Sequence, residues 1–348
     1  MNEIGIGIVG ANPDVGWSFL AHVPAIAATP GLRVAAVSTT RVETARRAAE
    51  LLGGLPWFTD AGELAAAPDV DLVLVSVRVP YHRELIEAAL GHGKAVLSEW
   101  PLARTTAEAE LLTEAAAAAG VAGFVGLQGR YDPVLNRARK IIAEGGLGEL
   151  ITINARSSRA KGGEVDPAAV YTLDAGNGAG TVDVLGGHLI DQLRRLVPDL
   201  AVDAGSSSLS HADHVVAGTG EGVIATAPDV FTAAVSAGSA VGGVTAWDGD
   251  PAAATDIVVA GTLGKVELRS VPFDVPRLRQ PQLAPYTGRL TTAGVEQELR
   301  PEPDDLPPPV GNIAGLYRQV AADLRDGTVT APTFADGLEL HRLLDRLR

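Results

Sequence analysis

Residues 70–103 read VDLVLVSVRVPYHRELIEAALGHGKAVLSEWPLA, and this stretch decides the fold. The apolar run at 70–79 predicts a buried strand, and the helical spacing of apolar residues at 82–90 predicts the helix that follows it. A glycine-rich stop then precedes a second apolar strand at 95–97. This order is typical of one β-α-β unit of a parallel sheet.

The second strand of this unit ends in Ser98, Glu99, Trp100 and Pro101. In open α/β sheets, ligands bind beyond the carboxyl ends of the strands. The sequence therefore predicts that Trp100 stacks on a bound ring or closes the wall of a pocket. The alternative is a core tryptophan at a strand end.

The composition is that of a globular protein with two domains. The chain has 348 residues, of which 46% are hydrophobic and 20% charged. No apolar run is long enough for a membrane helix and no signal peptide is visible, so we expect a cytoplasmic protein without a membrane partner. A net charge of −14 argues against a nucleic-acid partner. Cysteine is absent and the seven histidines form no ligand cluster, so no metal is expected.

The alternation of strands and helices through residue 127 predicts a doubly wound parallel sheet. Besides the unit above, strands are predicted at 4–10, 32–38 and 123–127, and helices at 44–52 and 106–119. The remainder predicts an α+β domain with a largely antiparallel sheet, because its strand-like segments lack intervening helices. Those segments are 151–157, 214–227, 231–238, 241–247, 255–260 and 264–269. Helices are predicted at 132–143, 187–196, 312–326 and 333–347, with a proline-rich loop at 300–309.

A glycine turn, GANPDVGW (10–17), follows the first strand. A turn of this kind binds a dinucleotide pyrophosphate, because its backbone amides approach the phosphates and the helix N-terminus favours negative charge. The usual G-x-G-x-x-G spacing is not met, so an ordinary strand-to-helix turn stays the alternative. The coenzyme-binding candidates here are Gly10, Asn12, Val15, Gly16 and Trp17.

No acidic residue stands at the tip of the second strand, which ends in Ser38, Thr39, Thr40 and Arg41. An acidic side chain there would bind the ribose hydroxyls of NAD. Hydroxyls and a guanidinium instead suit a 2′-phosphate. Ser38, Thr39 and Arg41 therefore predict NADP(H) in preference to NAD(H), with a solvated loop as the alternative.

Seven stretches, in this order, resemble the Gfo/Idh/MocA family, which includes glucose–fructose oxidoreductase and inositol dehydrogenase. They are HVPAI (22–26), HRELIEAALGHGKAVLSEWPLA (82–103), VGLQGRYDP (125–133), IIAEGGLGEL (141–150), GGHLIDQLRRL (186–196), VAGTLGKVEL (259–268) and YRQVAADLRDG (317–327). The resemblance covers nearly the whole chain. It implies a dinucleotide-binding Rossmann domain over 1–127 and an α+β domain over 128–348, whose open sheet supports a substrate pocket and a homo-oligomer.

The same resemblance implies further coenzyme contacts and roles. The contacts are Val77, Arg78, His82, Glu99, Trp100, Pro101 and Gln128. It also implies a cis bond before Pro101, and C-terminal helices that pack back on the first domain.

Two positions depart from the family's pattern. The usual Glu-Lys-Pro motif is Glu99-Trp100-Pro101 here, and an indole donates only through Nε1–H and cannot exchange protons as the lysine does. The aspartate that commonly lies four residues before the helix histidine is replaced by Val184, with Asp183 one residue earlier. His188 itself is retained. Three features resemble a subgroup of the family that contains the yeast galactose-pathway repressor: GANPDVGW (10–17), Trp100 and DAGNG (174–178). That repressor binds a dinucleotide without turnover.

Two functions follow and both stay open. The first is an NAD(P)-dependent oxidoreductase that acts on a sugar, polyol or related alcohol or ketone, with His188 as acid/base. Tyr171 or Lys161 would orient the reacting oxygen, because both lie where the family builds substrate contacts. The second is a catalytically inactive dinucleotide-binding regulator or sensor, which the loss of the family's lysine favours. A structural helix-start histidine and a solvated loop lysine are the alternatives for His188 and Lys161.

Overall fold

The computed structural model describes residues 3–14, 16–271, 284–300 and 306–347. The chain forms two compact units. The first comprises Met1–Leu127 with Pro309–Glu339, and the second comprises Gln128–Pro308 with Leu340–Arg348. Among the described residues, no helix combines the length and the apolar character needed to cross a bilayer.

A six-stranded sheet in the order β3-β2-β1-β4-β5-β6 is the centre of the first unit. Its strands are β1 (Ile4–Val9), β2 (Leu32–Ser38), β3 (Trp57–Phe58), β4 (Leu72–Val75), β5 (Ala95–Glu99) and β6 (Gly123–Gly126). Every pairing is parallel, which confirms the predicted doubly wound sheet. The strand order reverses between β1 and β4, so the carboxyl ends of these two strands mark the switch point at which ligands bind.

Short helices join these strands. They are α1 (Val23–Ala27), α2 (Val42–Leu51), α3 (Ala61–Ala66), α4 (His82–Gly91) and α5 (Thr106–Ala119). The predicted bounds of α5 are confirmed, because both ends carry readable caps: the Thr105 side chain accepts from Glu108 N, and Gly120 adopts a left-handed φ of 67°. The strand predicted at 70–79 is too long, because Pro80 lies in a 3₁₀ turn (Val79–Tyr81) after β4.

The second unit contains two sheets. Its strands are β7 (Leu150–Arg159), β8 (Glu164–Val165), β9 (Ala201–Ser208), β10 (Asp213–Val216), β11 (Gly222–Ile224), β12 (Val230–Ala237), β13 (Ala240–Asp248), β14 (Thr255–Gly261), β15 (Gly264–Ser270), β16 (Tyr286–Thr292) and β17 (Val295–Glu298). Eight strands form a sheet in the order β17-β16-β15-β14-β7-β13-β12-β9, in which only β7 and β13 pair in parallel. The prediction of a largely antiparallel sheet is therefore confirmed.

The smaller sheet has the order β11-β10-β8. The single strand predicted at 214–227 is wrong, since this segment is the hairpin of β10 and β11. Gly218 and Gly220 turn the chain between them with φ angles of 80° and 72°. Strands β8, β9, β16 and β17 were not predicted, because they are short or rich in small and polar residues.

Four helices follow in the rest of the chain: α6 (Pro133–Ala143), α7 (Gly187–Leu196), α8 (Pro308–Asp326) and α9 (Phe334–Leu344). Helices α6 and α7 pack against each other and against the eight-stranded sheet. Helix α8 begins earlier than predicted, inside the loop expected at 300–309, of which residues 301–305 lie outside the described residues. Phe334 packs on β6 so closely that a Cβ at Gly123 would lie 2.6 Å from its ring.

Candidate functional site

The turn after β1 depends on glycine at two positions. Gly10 has a φ of 90°, and a Cβ there would lie 2.3 Å from the Ser76 carbonyl oxygen. Gly16 donates its N–H to the Asn12 carbonyl at 2.8 Å, and a Cβ on it would lie 2.2 Å from the same oxygen. The Asn12 side chain accepts from the backbone N–H of Asp14 at 3.0 Å, so it caps the turn. Val15 lies outside the described residues.

Two buried polar atoms lie at the switch point without a hydrogen-bond partner among the described residues. They are Trp17 Nε1, directly after the glycine turn, and Ser76 Oγ, directly after β4. Buried polar atoms are nearly always paired in folded proteins. These atoms and the tight glycine turn therefore fit a polar coenzyme at the carboxyl ends of β1 and β4. Ser76 was not among the predicted coenzyme-binding residues, although its position directly after an apolar run could have indicated it.

The tip of β2 presents a cation. Ser38 is buried, and its carbonyl accepts from the N–H groups of Gly10 and Ala11. Thr39 donates its hydroxyl to the Arg41 carbonyl at 2.9 Å. The Arg41 side chain is exposed and forms no ion pair with any residue that the structure describes. A guanidinium without a carboxylate partner is therefore available at the position where a 2′-phosphate would be recognised.

His82 joins the turn after β4 to the chain after β5. Its Nε2 lies 3.1 Å from the Val77 carbonyl, and its Nδ1 lies 3.3 Å from both the Leu102 carbonyl and Ser98 Oγ. Burial lowers the pKa of His82, although the carbonyl contacts and Glu99 oppose this shift. Burial thus favours the neutral ring, whose contacts hold the turn after β4 against the chain after β5. Val77 is half-buried and Arg78 exposed in the same turn.

Glu99 belongs to a buried polar chain. Its Oε1 lies 3.0 Å from His22 Nε2, and His22 Nδ1 lies 2.9 Å from the Tyr317 hydroxyl on α8. The His22–Glu99 approach is close enough for an ion pair, but its angle is not that of a hydrogen bond. The Trp100–Pro101 peptide is cis, as the resemblance implied. Trp100 is only 5% exposed, so its indole is buried.

His188 lies at the start of α7, directly after a π-helical turn formed by Val182–Gly186. A π turn inserts one residue into a helix by bonding i to i+5. In a regular helix, the residue four positions before a histidine lies about one turn away from it. Asp183 lies five positions before His188, and the extra residue of the π turn leaves it about one turn away as well. Both side chains are buried. The Asp183 carboxylate accepts a hydrogen bond from the Gly180 N–H at 2.9 Å.

The other candidates of the second unit lie in irregular segments. Tyr171 is half-buried in a 3₁₀ turn (Val170–Leu173), and Asn177 donates to its carbonyl at 2.8 Å. Lys161 is not a solvated loop lysine, since its side chain is 20% exposed and donates to Thr172 Oγ1 at 2.7 Å. Gln128 is fully buried. Arg130 forms an ion pair with Asp191 on α7 at 2.7 Å, which anchors the helix that carries His188.

No cluster of three or more potential metal ligands occurs within residues 3–14, 16–271, 284–300 and 306–347. The polar groups at the switch point without a partner among the described residues are the Trp17 indole N–H and the Ser76 hydroxyl. They are hydrogen-bond donors suited to phosphate and amide groups.

The chain belongs to the Gfo/Idh/MocA family. Residues 4–127 match the model of the oxidoreductase family with an NAD-binding Rossmann fold, and residues 135–267 match that of the GFO/IDH/MocA C-terminal domain. The order of strands and the glycine turn described above agree with this assignment.

Curated relatives include dehydrogenases and transcriptional regulators. The dehydrogenase aclE of Aspergillus oryzae is 33% identical over 66% of this chain and 66% of its own length. The galactose/lactose metabolism regulatory protein GAL80 of Saccharomyces cerevisiae is 28% identical over 55% of this chain and 46% of its own. An inositol 2-dehydrogenase of Azotobacter vinelandii is 31% identical over 49% of each. The matched region thus spans about half to two thirds of these relatives.

Solved structures show the same fold over nearly the whole chain. A super-repressor mutant of Gal80p from Saccharomyces cerevisiae superposes with a TM-score of 0.86 at 24% identity, covering 99% of this chain and 95% of that one. Levoglucosan dehydrogenase in complex with NADH and L-sorbose gives a TM-score of 0.84 at 20% identity, covering 99% and 96%. Enzymes and a regulator therefore share this architecture.

Proposed function

We propose that this protein is an NADP(H)-dependent oxidoreductase that acts on an alcohol or ketone of the sugar or polyol class. The observation that carries the proposal is the π turn before His188. With the extra residue of this turn, Asp183 lies about one helical turn before His188, and we infer that it orients the imidazole. A protein that only binds a dinucleotide has no need for this acid–base pair.

His188 is the proposed general acid/base. Its imidazole takes the proton of the substrate hydroxyl during oxidation and returns it to the carbonyl oxygen during reduction. Asp183 holds the tautomer that this exchange needs. When bound, the nicotinamide accepts or supplies the hydride. Tyr171 or Lys161 orients the reacting oxygen; we favour Tyr171, because Lys161 lines a cavity to which His188 does not contribute.

In the first unit, we propose that the glycine turn holds the pyrophosphate. The residues are Gly10, Asn12, Val15, Gly16 and Trp17. Ser76 and Trp17 supply the buried donors that have no partner among the described residues. Val77, Arg78, His82, Glu99, Trp100, Pro101 and Gln128 complete the proposed coenzyme site. Trp100 replaces a lysine with an apolar ring, which excludes water from the reacting groups.

Replacement of His188 tests the catalytic role. We expect His188→Gln to lower kcat by about a hundredfold or more, since general acid–base catalysis contributes about 10²–10⁴. The measurement is nicotinamide absorbance with a panel of sugars, keto-sugars and cyclitols. His92→Gln is the matched control, because His92 lies at the exposed end of α4. Equal activity of His188→Gln and the natural protein would exclude the proposed role.

The NADP(H) preference rests on Arg41. We expect Arg41→Ala to raise the Kd for NADP(H) about tenfold or more and to leave that for NAD(H) nearly unchanged, because only NADP(H) carries the 2′-phosphate. Arg46→Ala is the control, since Arg46 lies on the exposed side of α2 within 3.4 Å of Glu50. Tighter binding of NAD(H) than of NADP(H) by the natural protein would contradict the preference.

A catalytically inactive regulator or sensor is the second candidate. Trp100 in place of the family's lysine favours it, and so does the fold shared with Gal80p. Tight coenzyme binding together with no turnover across the substrate panel would support this function. Turnover that depends on His188 would exclude it.

A homo-oligomer is also proposed. On β7, buried Ile153 and Ala155 alternate with exposed Asn154 and Arg156, so the second face of the eight-stranded sheet is accessible in a single chain. Open sheet faces of this kind pair across a two-fold axis. Sedimentation equilibrium checks the proposal, and a monomer at micromolar concentration would contradict it.

A further inference from the structure

The second unit contains a cavity of about 420 Å³. It lies among the end of β7, the 3₁₀ turn at Val170–Leu173, the β10–β11 hairpin and the turn after β13. Its apolar wall consists of Leu173, Leu209, Ala225, Ala227, Pro228 and Pro251. Within the described part of the chain, neither Asp183 nor His188 lines it. Thr181, two residues before Asp183, does line it, so the cavity lies beside the segment that carries Asp183.

The two carboxylates of the cavity are already engaged by protein groups. Asp248 receives two hydrogen bonds from Arg159, at 2.8 and 3.1 Å, and one from the Thr181 hydroxyl. Asp229 accepts from the backbone N–H groups of Ser210 and His211 at 2.6 and 2.8 Å. Their charge is thus largely compensated, and neither is the group that a ligand would meet first.

The ammonium group of Lys161 has unused capacity. It has three N–H donors, and its one hydrogen bond among the described residues goes to Thr172 Oγ1 at 2.7 Å. Asp248 Oδ2 lies 4.0 Å away, too far for a hydrogen bond. Burial and the neighbouring Arg159 lower the pKa of Lys161 to about 8, against the opposing pull of Asp248 and Asp229. A bound anion would offset the unfavourable free energy of keeping the buried ammonium group charged.

His214 also lines the cavity, and its ring has a nitrogen without a partner among the described residues. Its Nε2 lies 3.1 Å from the His211 carbonyl and donates to it, which leaves Nδ1 as an acceptor in the neutral ring. Nδ1 is buried and has no partner among the described residues. The side chain is 7% exposed, so this atom is not satisfied by bulk water. It is suited to accept a hydrogen bond from a hydroxyl group.

We propose that this cavity binds a small hydroxycarboxylate, with the carboxylate at Lys161 and a hydroxyl at His214. The apolar wall covers the carbon chain of the ligand. Binding requires neither the coenzyme nor turnover. Lys161 is also the less favoured candidate for orienting the substrate, but the proposed ligand contacts neither Asp183 nor His188, so the site is tested independently of the function proposed above.

Calorimetric titration of the full chain without coenzyme tests the site. The probes are D-gluconate, D-glucitol, which lacks the carboxylate, and adipate, which lacks hydroxyl groups. We expect gluconate to bind at least tenfold more tightly than either control. Equal affinity for gluconate and glucitol, or no saturable binding of gluconate at 10 mM, would overturn the proposal.

The titration of Lys161 gives a second readout. Above the lowered pKa of Lys161 the amine is mostly neutral, and a bound carboxylate favours its charged form. At pH 8.5 we therefore expect uptake of about half to three quarters of a proton per bound gluconate, measured in buffers of different ionisation enthalpy. Arg159, Asp229, Asp248, His211 and His214 also face Lys161 or the cavity.

Variants separate the two anchoring groups. Lys161→Met should lower gluconate affinity at least thirtyfold and abolish the proton uptake, whereas Lys265→Met, at an exposed site beside Glu267, should change neither. His214→Leu should weaken gluconate and leave adipate unchanged. Retention of gluconate binding and proton uptake by Lys161→Met would overturn the site. Coenzyme affinity, measured separately, reports on the proposed oxidoreductase function and is independent of these outcomes.

Discussion

The two units place the polar groups of their candidate sites in different kinds of structure. In the first unit, Trp17 Nε1 and Ser76 Oγ lie at the carboxyl edge of a parallel sheet, a position that topology alone predicts. In the second unit, Lys161 and His214 lie in turns and short strands around a cavity. The coenzyme edge therefore follows from the order of strands. The cavity of the second unit is formed by turns and short strands, which no periodic pattern of apolar residues predicts.

The sharpest test of this difference compares two glycines of the first unit. Gly10 and Gly53 have similar φ angles of 90° and 88°, but only Gly10 has backbone within 2.3 Å of a built Cβ, whereas Gly53 has nothing within 4 Å. We expect Gly53→Ala to cost about 1 kcal/mol and Gly10→Ala about 3–5 kcal/mol. Urea unfolding measures both values. Similar costs would show that the turn after β1 can relax.

A second test uses two buried carboxyls whose pKa values shift in opposite directions. Asp323, in the first unit, accepts hydrogen bonds from Thr328, Thr330 and Ala331, and these bonds lower its pKa although burial opposes them. Asp132, in the second unit, caps α6, and burial raises its pKa to about 6. Because the pKa of Asp323 is lowered, its ionised carboxylate stabilises the fold at pH values above about 4, the pKa of aspartate in the unfolded chain. This stabilisation is lost as the pH falls through the lowered pKa.

For Asp132 the sign is reversed. The fold is favoured while this carboxyl is protonated and loses stability as pH rises from about 4 to about 6, by up to about 3 kcal/mol. We therefore expect Asp323→Asn to be most destabilising at neutral pH, by about 2 kcal/mol. The deficit of Asp132→Asn should shrink across pH 4–6. Denaturant unfolding at each pH measures both, with exposed Asp326→Asn as the control. Parallel pH profiles of the two variants would contradict this contrast.

The smallest expected effect concerns two buried tyrosines. The Tyr317 hydroxyl contacts His22 in the first unit at 2.9 Å, and the Tyr286 hydroxyl donates to Gln192 in the second at 2.6 Å. We expect Tyr317→Phe to cost about 2 kcal/mol and Tyr286→Phe about 1 kcal/mol, because His22 also faces the Glu99 carboxylate. Thermal unfolding measures both losses of stability. A larger loss for Tyr286→Phe than for Tyr317→Phe would show that the contacts of His22 with Tyr317 and Glu99 add no stability.

Much of the first unit could be predicted from the sequence. Helix α5 has a threonine cap and a glycine stop, and β1, β2 and β5 are short apolar runs. Strand β3 and helix α3 have two and six residues, too short for a period to emerge. The position of Ser76 after an apolar run could be read from the sequence, but its lack of a hydrogen-bond partner could not, because that depends on which neighbours the packed chain brings near.

The candidate site of the second unit was only partly predictable. His188 was found from the resemblance, but the relation of Asp183 to it was not, since a π turn has no sequence signal as clear as a cap. Lys161 was a candidate for catalysis or a solvated side chain, and neither expectation included a cavity. Its partners, Thr172 and Asp248, come from segments far apart in the sequence. The site residues themselves stay predictions until the variants are measured.

The return of residues 309–339 to the first unit has a consequence for biosynthesis. Tyr317 supplies the hydroxyl that contacts His22, and Phe334 covers Gly123 at the edge of the sheet. A nascent chain therefore cannot complete its amino-terminal unit until residues 309–339 have left the ribosome. A fragment cut after Leu127 would expose these surfaces to chaperones, so the two units cannot be produced by division at that boundary.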